Sequence, residues 1–478
     1  MIKSVRIFAL LMMLIPTGCA LGPDYKPPEV EIPAEYRFAK TSEAASMDLK
    51  WWELFDDPVL YTLVTMALEN NNNLKIAVSR MEQARAALGI TRADQYPRLD
   101  IEAGASIGTF SGGSRSETTN HSLYVAPVLR WEIDFWGKYR RSSEAARAEL
   151  MASEYGVRSL QLDLISEVVG TYFLLLDYHQ RLAIARETLD SRLKSLDIIQ
   201  QRFDRGIIPE IDLNQAQIQK EIAASAIPLY ERLISTTEHA LSLLLGRLPG
   251  QIARGRGLDH QHTPPEIPAG LPAQIMERRP DIVQSLYLLN AQNARIGVAT
   301  AMRLPAISLT GLLGLASSEI SSITSEGGVW SAGAGLLGPL FDFNKGKQRV
   351  VLEELRTRQV LFEYEDTVLN AFREVEDALV EVETYRREME AVTNKLVAAQ
   401  NANDLSAERY DKGVTSYLEV LEADRTLFSV QLELSDLKQR YFRSYVTLYK
   451  ALGGGWISRE EMAQTKTANQ QKTTAEKE

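Results

Sequence analysis

Residues 97–110 alternate between apolar and polar side chains. Leu99, Ile101, Ala103, Ala105 and Ile107 share one face, and Asp100, Glu102, Gly104, Ser106 and Gly108 share the other. A period of two predicts a strand with one greasy and one wet side. Residues 121–133 continue the pattern, with Leu123, Val125, Leu129, Trp131 and Ile133 set against Ser122, Tyr124, Arg130 and Glu132. Between them, Ser111–Asn120 reads as a polar, Gly-rich loop. A second pair is expected at 305–316, carrying Ile307, Leu309, Leu313 and Leu315, and at 329–341. Pro127 and Pro339 fall inside these runs, where proline removes a ladder bond.

Elsewhere the period is helical. Helices are expected at about 72–95 and 280–302, with very long ones at about 137–205 and 344–411 and return helices at about 210–245 and 415–452. A run of 69 residues makes a rod of about 100 Å, too long to bury itself in a compact domain. Along its end, Leu182, Ala185, Leu189, Leu196, Ile199 and Phe203 keep the three-four spacing of a coiled-coil seam, which Arg192 interrupts. Arg205-Gly206-Ile207-Ile208-Pro209 and Lys412-Gly413-Val414-Thr415-Ser416 carry terminating residues, and Ser416 is a candidate cap.

The chain repeats itself. At a shift of about 208 residues Gly89-Ile90 falls on Gly297-Val298, Pro97 on Pro305 and Asp134-Phe135 on Asp342-Phe343. At a shift of 207, Arg202-Phe203-Asp204-Arg205-Gly206 falls on Arg409-Tyr410-Asp411-Lys412-Gly413, and Leu245-Gly246 on Leu452-Gly453. Kept order of this kind marks two copies of one unit. The expected organisation is a signal at 1–18, an extended segment at 19–54, a first repeat at 55–250, a connector at 251–271, a second repeat at 272–455 and a polar tail at 456–478.

Four strands cannot close a barrel, which needs about eight, and open edges are forbidden in lipid. If the strands cross a membrane, several copies must pool them, and three copies would give twelve. The other reading is a soluble sandwich on a coiled-coil rod.

Composition narrows the class. The net charge is −10; losing 1–18 removes Lys3 and Arg6 and no acid, which makes it −12. That argues against nucleic-acid binding, which needs a basic face. Hydrophobic residues reach 45%, enough for a sizeable core. The one cysteine, Cys19, follows a basic start, the apolar run Ile7–Ile15 and Pro16-Thr17-Gly18. This resembles a bacterial lipoprotein signal, with Pro16 where Leu is usual; an ordinary secretory signal is the alternative. Ala20 rather than Asp after the cysteine favours the outer membrane.

Further runs carry a family resemblance. They are Gly22-Pro23-Asp24-Tyr25-Lys26-Pro27-Pro28 after Cys19, Trp51-Trp52, and Trp131-Glu132-Ile133-Asp134-Phe135-Trp136-Gly137-Lys138. Arg279-Pro280-Asp281-Ile282, Ala294-Arg295-Ile296-Gly297-Val298-Ala299, Leu304-Pro305 and Arg409-Tyr410-Asp411-Lys412-Gly413 follow in order. The chain resembles the TolC-like outer-membrane efflux channels, in particular their lipoprotein branch. The resemblance implies a mixed α and β membrane protein. Its trimer would form a twelve-strand transmembrane β-barrel, four strands per chain, continued by a long periplasmic α-helical barrel. It implies a homotrimer working with a periplasmic adaptor (a membrane fusion protein) and an inner-membrane pump, lipidated at Cys19 and embedded in outer-membrane lipid. It also implies a periplasmic iris gate. By motif position the gate carboxylates fall on Glu419 and Glu422, with Asp212 and Gln215 at the matching places of the first copy. Arg202, Asp204, Gly206, Arg409, Tyr410, Asp411 and Gly413 are the turn and adaptor-contact candidates. Thr415 stands where some members carry an arginine that pairs across the tip.

Carboxylates crowded on one axis repel, attract cations and raise one another's pKa, so such a ring gates or selects; as ordinary helix charges they only solvate the surface. The histidines show no metal-site spacing: His260-Gln261-His262 offers two ligands in a loop, too few for a structural zinc. No GxSxG, P-loop or HExxH run occurs. The expectation is a channel without catalysis, cofactor or metal. A periplasmic coiled-coil adaptor or scaffold lipoprotein is the alternative.

Overall fold

The computed structural model describes residues 20–38, 51–111, 114–263, 272–318 and 328–454. Cys19, the signal and the polar tail lie outside them. The elements run in order: a 3-10 turn (Trp51–Phe55), α1 (Pro58–Asn70), α2 (Asn72–Ala93), β1 (Arg98–Ser111), β2 (Ser114–Ile133), α3 (Lys138–Asp204) and α4 (Glu210–Leu244). A second 3-10 turn (Leu258–His260) follows, then α5 (Pro272–Arg278), α6 (Pro280–Ala301), β3 (Ala306–Ser317), β4 (Gly328–Leu337), α7 (Lys345–Asp411) and α8 (Tyr417–Ala451).

The duplication is visible in the element lengths. Helices α2 and α6 each have 22 residues, α3 and α7 each 67, and α4 and α8 each 35. The offset is 208 at β1/β3 and 207 at α3/α7, and the stretch from Asp342 to the second rod is one residue shorter than that from Asp134 to the first. Gly137 precedes α3 with φ +78°; Phe343 and Asn344 precede α7 with φ +50° and +66°. The shorter connection therefore holds two non-glycine residues in the left-handed region, a strained arrangement. Asp134 caps α3, accepting from the Tyr139 N–H at 3.0 Å and the Arg140 N–H at 2.8 Å, and Asp342 accepts from the Gly346 N–H at 2.7 Å ahead of α7.

The chain divides into two compact units, and α2, α3, α6 and α7 contribute to both. The first unit holds the sheet, order β1-β2-β3-β4, antiparallel throughout. Two expectations change here. Ser111 and residues 114–120 are strand and not loop: β1 reaches Ser111 and β2 starts at Ser114, with a register shift between Gly108 and Phe110. Ladder pairing overrides the polar composition, a tertiary effect on a weak local signal. Strand β4 ends at Leu337 instead of reaching 341, which leaves Pro339 beyond the ladder. Pro127 stays within β2 opposite Ile101, and the β2–β3 pairing skips Ala126 and Pro127, where the missing N–H cannot contribute.

The start of the described chain is seated in this unit. The Leu21 N–H donates to Trp136 O at 3.2 Å. Arg141, 5% exposed, donates to Leu21 O at 3.1 Å and to Asp24 Oδ1 at 2.7 Å. Gly22 touches Gly297 so closely that a Cβ on it would lie 2.4 Å from the Gly297 Cα.

The second unit holds an aromatic core to which Trp51 and Phe55 belong, where an extended segment was expected. Trp51 and Phe55 are buried; Phe55 meets Phe173 at 4.9 Å between centroids, Phe173 stacks on Phe442 at 4.9 Å, and Trp51 stacks on Tyr449 at 5.2 Å. Helix α1 begins before the expected helix at 72 because Asp57 caps it, accepting from the Val59 and Leu60 N–H groups. Tyr172 donates to Asp57 at 2.7 Å, and Gln261 of the connector donates to the same carboxylate at 2.9 Å. Helix α3 contains an 18-residue window of mean hydropathy 1.3, long and apolar enough by composition to cross a membrane. Its Val168, Val169, Tyr172, Phe173 and Leu175 are all buried in this core, which accounts for the apolarity. The Arg279-Pro280-Asp281 run is structural: buried Arg279 binds Asp281, Glu374 and Ala451 O.

Candidate functional site

The sheet's register sorts its side chains. Opposite Leu99 stands Leu129, opposite Leu129 stands Gly311, and opposite Gly311 stands Ala332. Carried along the ladders, one face holds Leu99, Ile101, Leu129, Ile307, Leu313, Trp330 and Leu336. Ile101 is 77% exposed and Trp330 is 78% exposed. The other face holds Arg98, Asp100, Glu102, Ser106, Arg130, Ser308, Thr310, Gly333 and Gly335. There Arg130 bridges Asp100 at 3.2 Å and Glu102, and Arg98 meets Asp100 at 2.6 Å. A continuous exposed apolar face, backed by ions and glycines, suits lipid outside and water inside. Strands β1 and β4 each leave one edge unpaired.

In the second unit, both long rods end in the same way. Gly206 and Gly413 each have φ +71°. The Ile207 N–H donates to Arg202 O at 3.0 Å and the Val414 N–H to Arg409 O at 2.9 Å, the double bond pattern that closes a helix at a left-handed residue. Ser416 occupies the cap position of α8 without a side-chain cap bond, contrary to expectation. The turns sit over a small apolar cluster of Ile199, Leu213, Ala216, Tyr417 and Leu421.

Around it lie the charged candidates. Arg202 donates to Asp411 Oδ1 at 2.9 Å and lies 4.9 Å from the Tyr410 ring centroid. Tyr410 and Tyr417 stand 5.3 Å apart. Burial raises the Tyr417 pKa to about 12, with Tyr410, Asp424 and Asp212 adding to the rise. Asp204 accepts from Gln200 at 2.8 Å. Arg409 meets Glu419 at 3.2 Å, and the Thr415 hydroxyl donates to the same carboxylate. Thr415 thus works within its own chain, where an arginine would reach outward. Glu419 and Glu422 line one cavity of about 420 Å³ with Ala399, Ala402, Ala423 and Thr426. Asp212 and Gln215 stand apart from it on the first turns of α4.

Asp424 and Gln219 escaped sequence reading, and Arg192 was read only as a break in the seam. Arg192, 5% exposed, donates to Asp424 Oδ2 at 2.9 Å and to Gln219 O at 2.7 Å, and lies 5.0 Å from the Phe428 centroid. The only sequence signal was an arginine at a seam position.

Two stretches, residues 63–247 and 271–454, match the sequence profile of the family described as outer membrane efflux protein. The chain belongs to the outer membrane efflux protein family. The probable outer membrane lipoprotein SilC of Salmonella typhimurium is 32% identical over 461 residues, 95% of this chain and 99% of that one. The solvent efflux pump outer membrane protein SrpC of Pseudomonas putida is 35% identical over 469 residues, 95% and 98% of the two. Among solved structures, the Campylobacter jejuni CmeC outer membrane channel superposes with a TM-score of 0.86 at 29% identity, covering 94% of this chain and 98% of that one. CusC does so with a TM-score of 0.82 at 32% identity, covering 91% and 100%. As an outer membrane efflux protein, the chain has that family's fold, a β domain with helical-barrel hairpins in two repeats. It is an outer-membrane efflux channel protein, and the reading as a periplasmic adaptor falls away.

Proposed function

We propose that this chain is one third of a passive exit duct. Three copies close a twelve-strand barrel in the outer membrane, and their hairpins line the periplasmic end. The observation that carries the reading is the single exposed apolar face shared by all four strands, together with unpaired edges on β1 and β4. Lipid forbids those edges unless another chain fills them.

The repeat supplies the register. Strand β4 is the counterpart of β2, and β1 of the next copy is the counterpart of β3. Laid on the β1–β2 ladder, the β3–β4 ladder sets β4 at an offset of 207 from β2 (Arg98 opposite Arg130, against Ala306 opposite Leu337), so the pairs Leu129–Gly311 and Val125–Leu315 translate into Leu336 opposite Ala103 and Ala332 opposite Ile107 of the neighbour. Every one of these residues is on the apolar face, so the translated ladder keeps the faces in phase.

Cys19 carries the acyl anchor on this reading. The seat that Arg141 and Gly297 make for residues 21–24 holds the chain next to it at the strand–helix junction. Glu419 and Glu422 form the constriction, with Asp212 and Gln215 on the companion helix. The Gly206 and Gly413 turns, with Arg202, Asp204, Arg409, Tyr410 and Asp411, face the periplasmic adaptor that joins the duct to an inner-membrane pump. The chain performs no catalysis. Relatives named for toluene and for cation efflux share this fold, so the bore reads its cargo weakly and the pump chooses.

The test is an engineered cysteine pair, Leu336→Cys with Ala103→Cys, in the full-length chain. Oxidation should give covalent trimers and heat-modifiable mobility on gels. A monomer that never cross-links and stays soluble without its anchor would end the proposal.

A further inference from the structure

In the first unit four helices lie side by side in the order α2, α3, α6, α7. Ser143 of α3 donates to Thr91 O of α2 at 3.3 Å, Arg295 of α6 binds Glu149 of α3, and Gln292 of α6 donates to Glu353 of α7 at 2.7 Å. One cavity of about 470 Å³ is lined from all four. Only the concave side of a curved layer is reached from every member. That side continues the wet face of the sheet: Tyr139 donates to Glu132 of β2 at 3.0 Å, and Ser142, Ala146 and Glu149 follow Tyr139 along one helical stripe. Arg349, Glu353 and Arg356 are the counterparts of Ser142, Ala146 and Glu149 at the offset of 207, and they line the same cavity. The start of the described chain runs over another surface of α3 and α6, where Arg141 and Gly297 hold it, and neither of those lines the cavity.

The charges in this cavity do not balance. Arg295, Arg349 and Arg356 face Glu149 and Glu353, in a chain whose net charge is −10. Both carboxylates are already committed: Glu149 accepts from Arg295, and Glu353 accepts from Arg356 at 2.7 Å and from Gln292 at 2.7 Å. Arg349 is half-buried and makes no hydrogen bond or ion pair among the described residues, and the same holds for the Ser142 hydroxyl across the cavity. Buried Ala145, Ala146 and Ala299 supply apolar wall between them. A guanidinium beside such a wall is poorly screened, its field is focused into the concavity, and its fork matches two oxygens of one anion.

We propose that this cavity is an oxyanion site in the wall of the duct, where the carboxylate or phosphate group of an anionic solute pairs with Arg349 and takes a hydrogen bond from Ser142. The site is built from one chain; its place inside the bore rests on the homotrimer reading given above. Arg349 is the binding cation because it alone of the three arginines is bound to neither of the two glutamates. Arg356 adds its remaining N–H groups, since its printed bond to Glu353 uses one nitrogen. Glu149 is the residue that limits the site, because it holds Arg295 back from the solute. A duct with this wall gives anions a place to pause just below the sheet, on a surface whose overall charge repels them.

Inorganic phosphate is the probe. Added to the full-length chain in detergent, its phosphorus NMR line should broaden, and Arg349→Gln should weaken the binding about tenfold, the loss of one charge-assisted pair. Arg349→Lys keeps the charge without the fork and should retain part of the affinity. Glu149→Gln frees Arg295 and should tighten binding, an effect opposite in sign to that of any general damage. Melting temperatures should match the parent in Arg349→Gln, whose side chain has no partner to lose. In planar bilayers phosphate should reduce the current of the parent more than that of Arg349→Gln. No broadening with the parent, or equal binding in the parent and Arg349→Gln, would overturn the site. Binding that depends on Arg349 but leaves currents alike in both would overturn its place in the bore. A monomeric sample that still binds phosphate through Arg349 would keep the site and remove the homotrimer reading alone.

Discussion

Gly206 and Gly413, 207 positions apart, end the two long rods with one backbone conformation, φ +71° at each, and neither has an atom within 4 Å of where a Cβ would stand. Their requirement is therefore conformational and not steric. Both chain reversals are set by a residue able to sit in the left-handed region without penalty.

Replacing either with alanine should cost about 1–2 kcal/mol, the penalty of a left-handed non-glycine residue, without disturbing neighbours. Gly246→Ala should cost more, because its Cβ would lie 2.4 Å from Asn70 O in addition to φ +67°. Thermal denaturation of the three single variants in detergent checks the order; equal losses would refute the steric part.

Tyr172 links the first helix to the connector between repeats. Its hydroxyl donates to Asp57 and accepts from the Gly255 N–H at 3.0 Å. Tyr172→Phe leaves a buried carboxylate and a backbone N–H each short of one partner, so a loss of about 1–3 kcal/mol is expected. Proteolysis within the connector should rise with it.

His179 gives a pH dependence. Burial first, and then the nearby Arg254 and Arg186 charges, lower its pKa from 6.5 to about 4. A depressed histidine folds as the neutral ring. Its stabilising contribution is whole above pH 6.5 and is lost as pH falls from there toward about 4, where the unfolded chain takes up the proton first. His179→Phe should flatten that part of the stability curve, measured as melting temperature against pH. A variant with the same slope as the parent would show that other groups govern the window.

Glu419→Gln combined with Glu422→Gln should change single-channel conductance or cation preference, as expected when a carboxylate constriction loses charge. The Arg409–Glu419 pair is half exposed and contributes little stability, so melting should barely move while currents change. Unchanged currents would count against the constriction.

The Gly206 and Gly413 turns were legible because short motifs and the repeat place them by number. The Arg192–Asp424–Gln219 cluster was not: its members are 232 and 27 residues apart in sequence, and nothing local distinguishes a buried arginine from a solvated one. Asp57 and Phe55 were missed for the same reason, and Trp51 was read only as part of a family run, since their partners Tyr172, Gln261, Phe173 and Tyr449 come from distant segments.

Local pattern determined the strands' greasy and wet faces and the rods, terminating residues marked the rods' glycine ends, and the kept order of motifs at one shift marked the duplication. Four strands with two open edges, too few to close, also followed from counting. Where pairing begins and ends was decided only in three dimensions. Strand β2 starts in polar residues because β1 lies beside it to bond, and β4 stops at Leu337 because its partner β3 begins opposite, at Ala306. The buried Arg192–Asp424 tie was decided there too, since only folding brings those two charges within 2.8 Å and shields Arg192 from water.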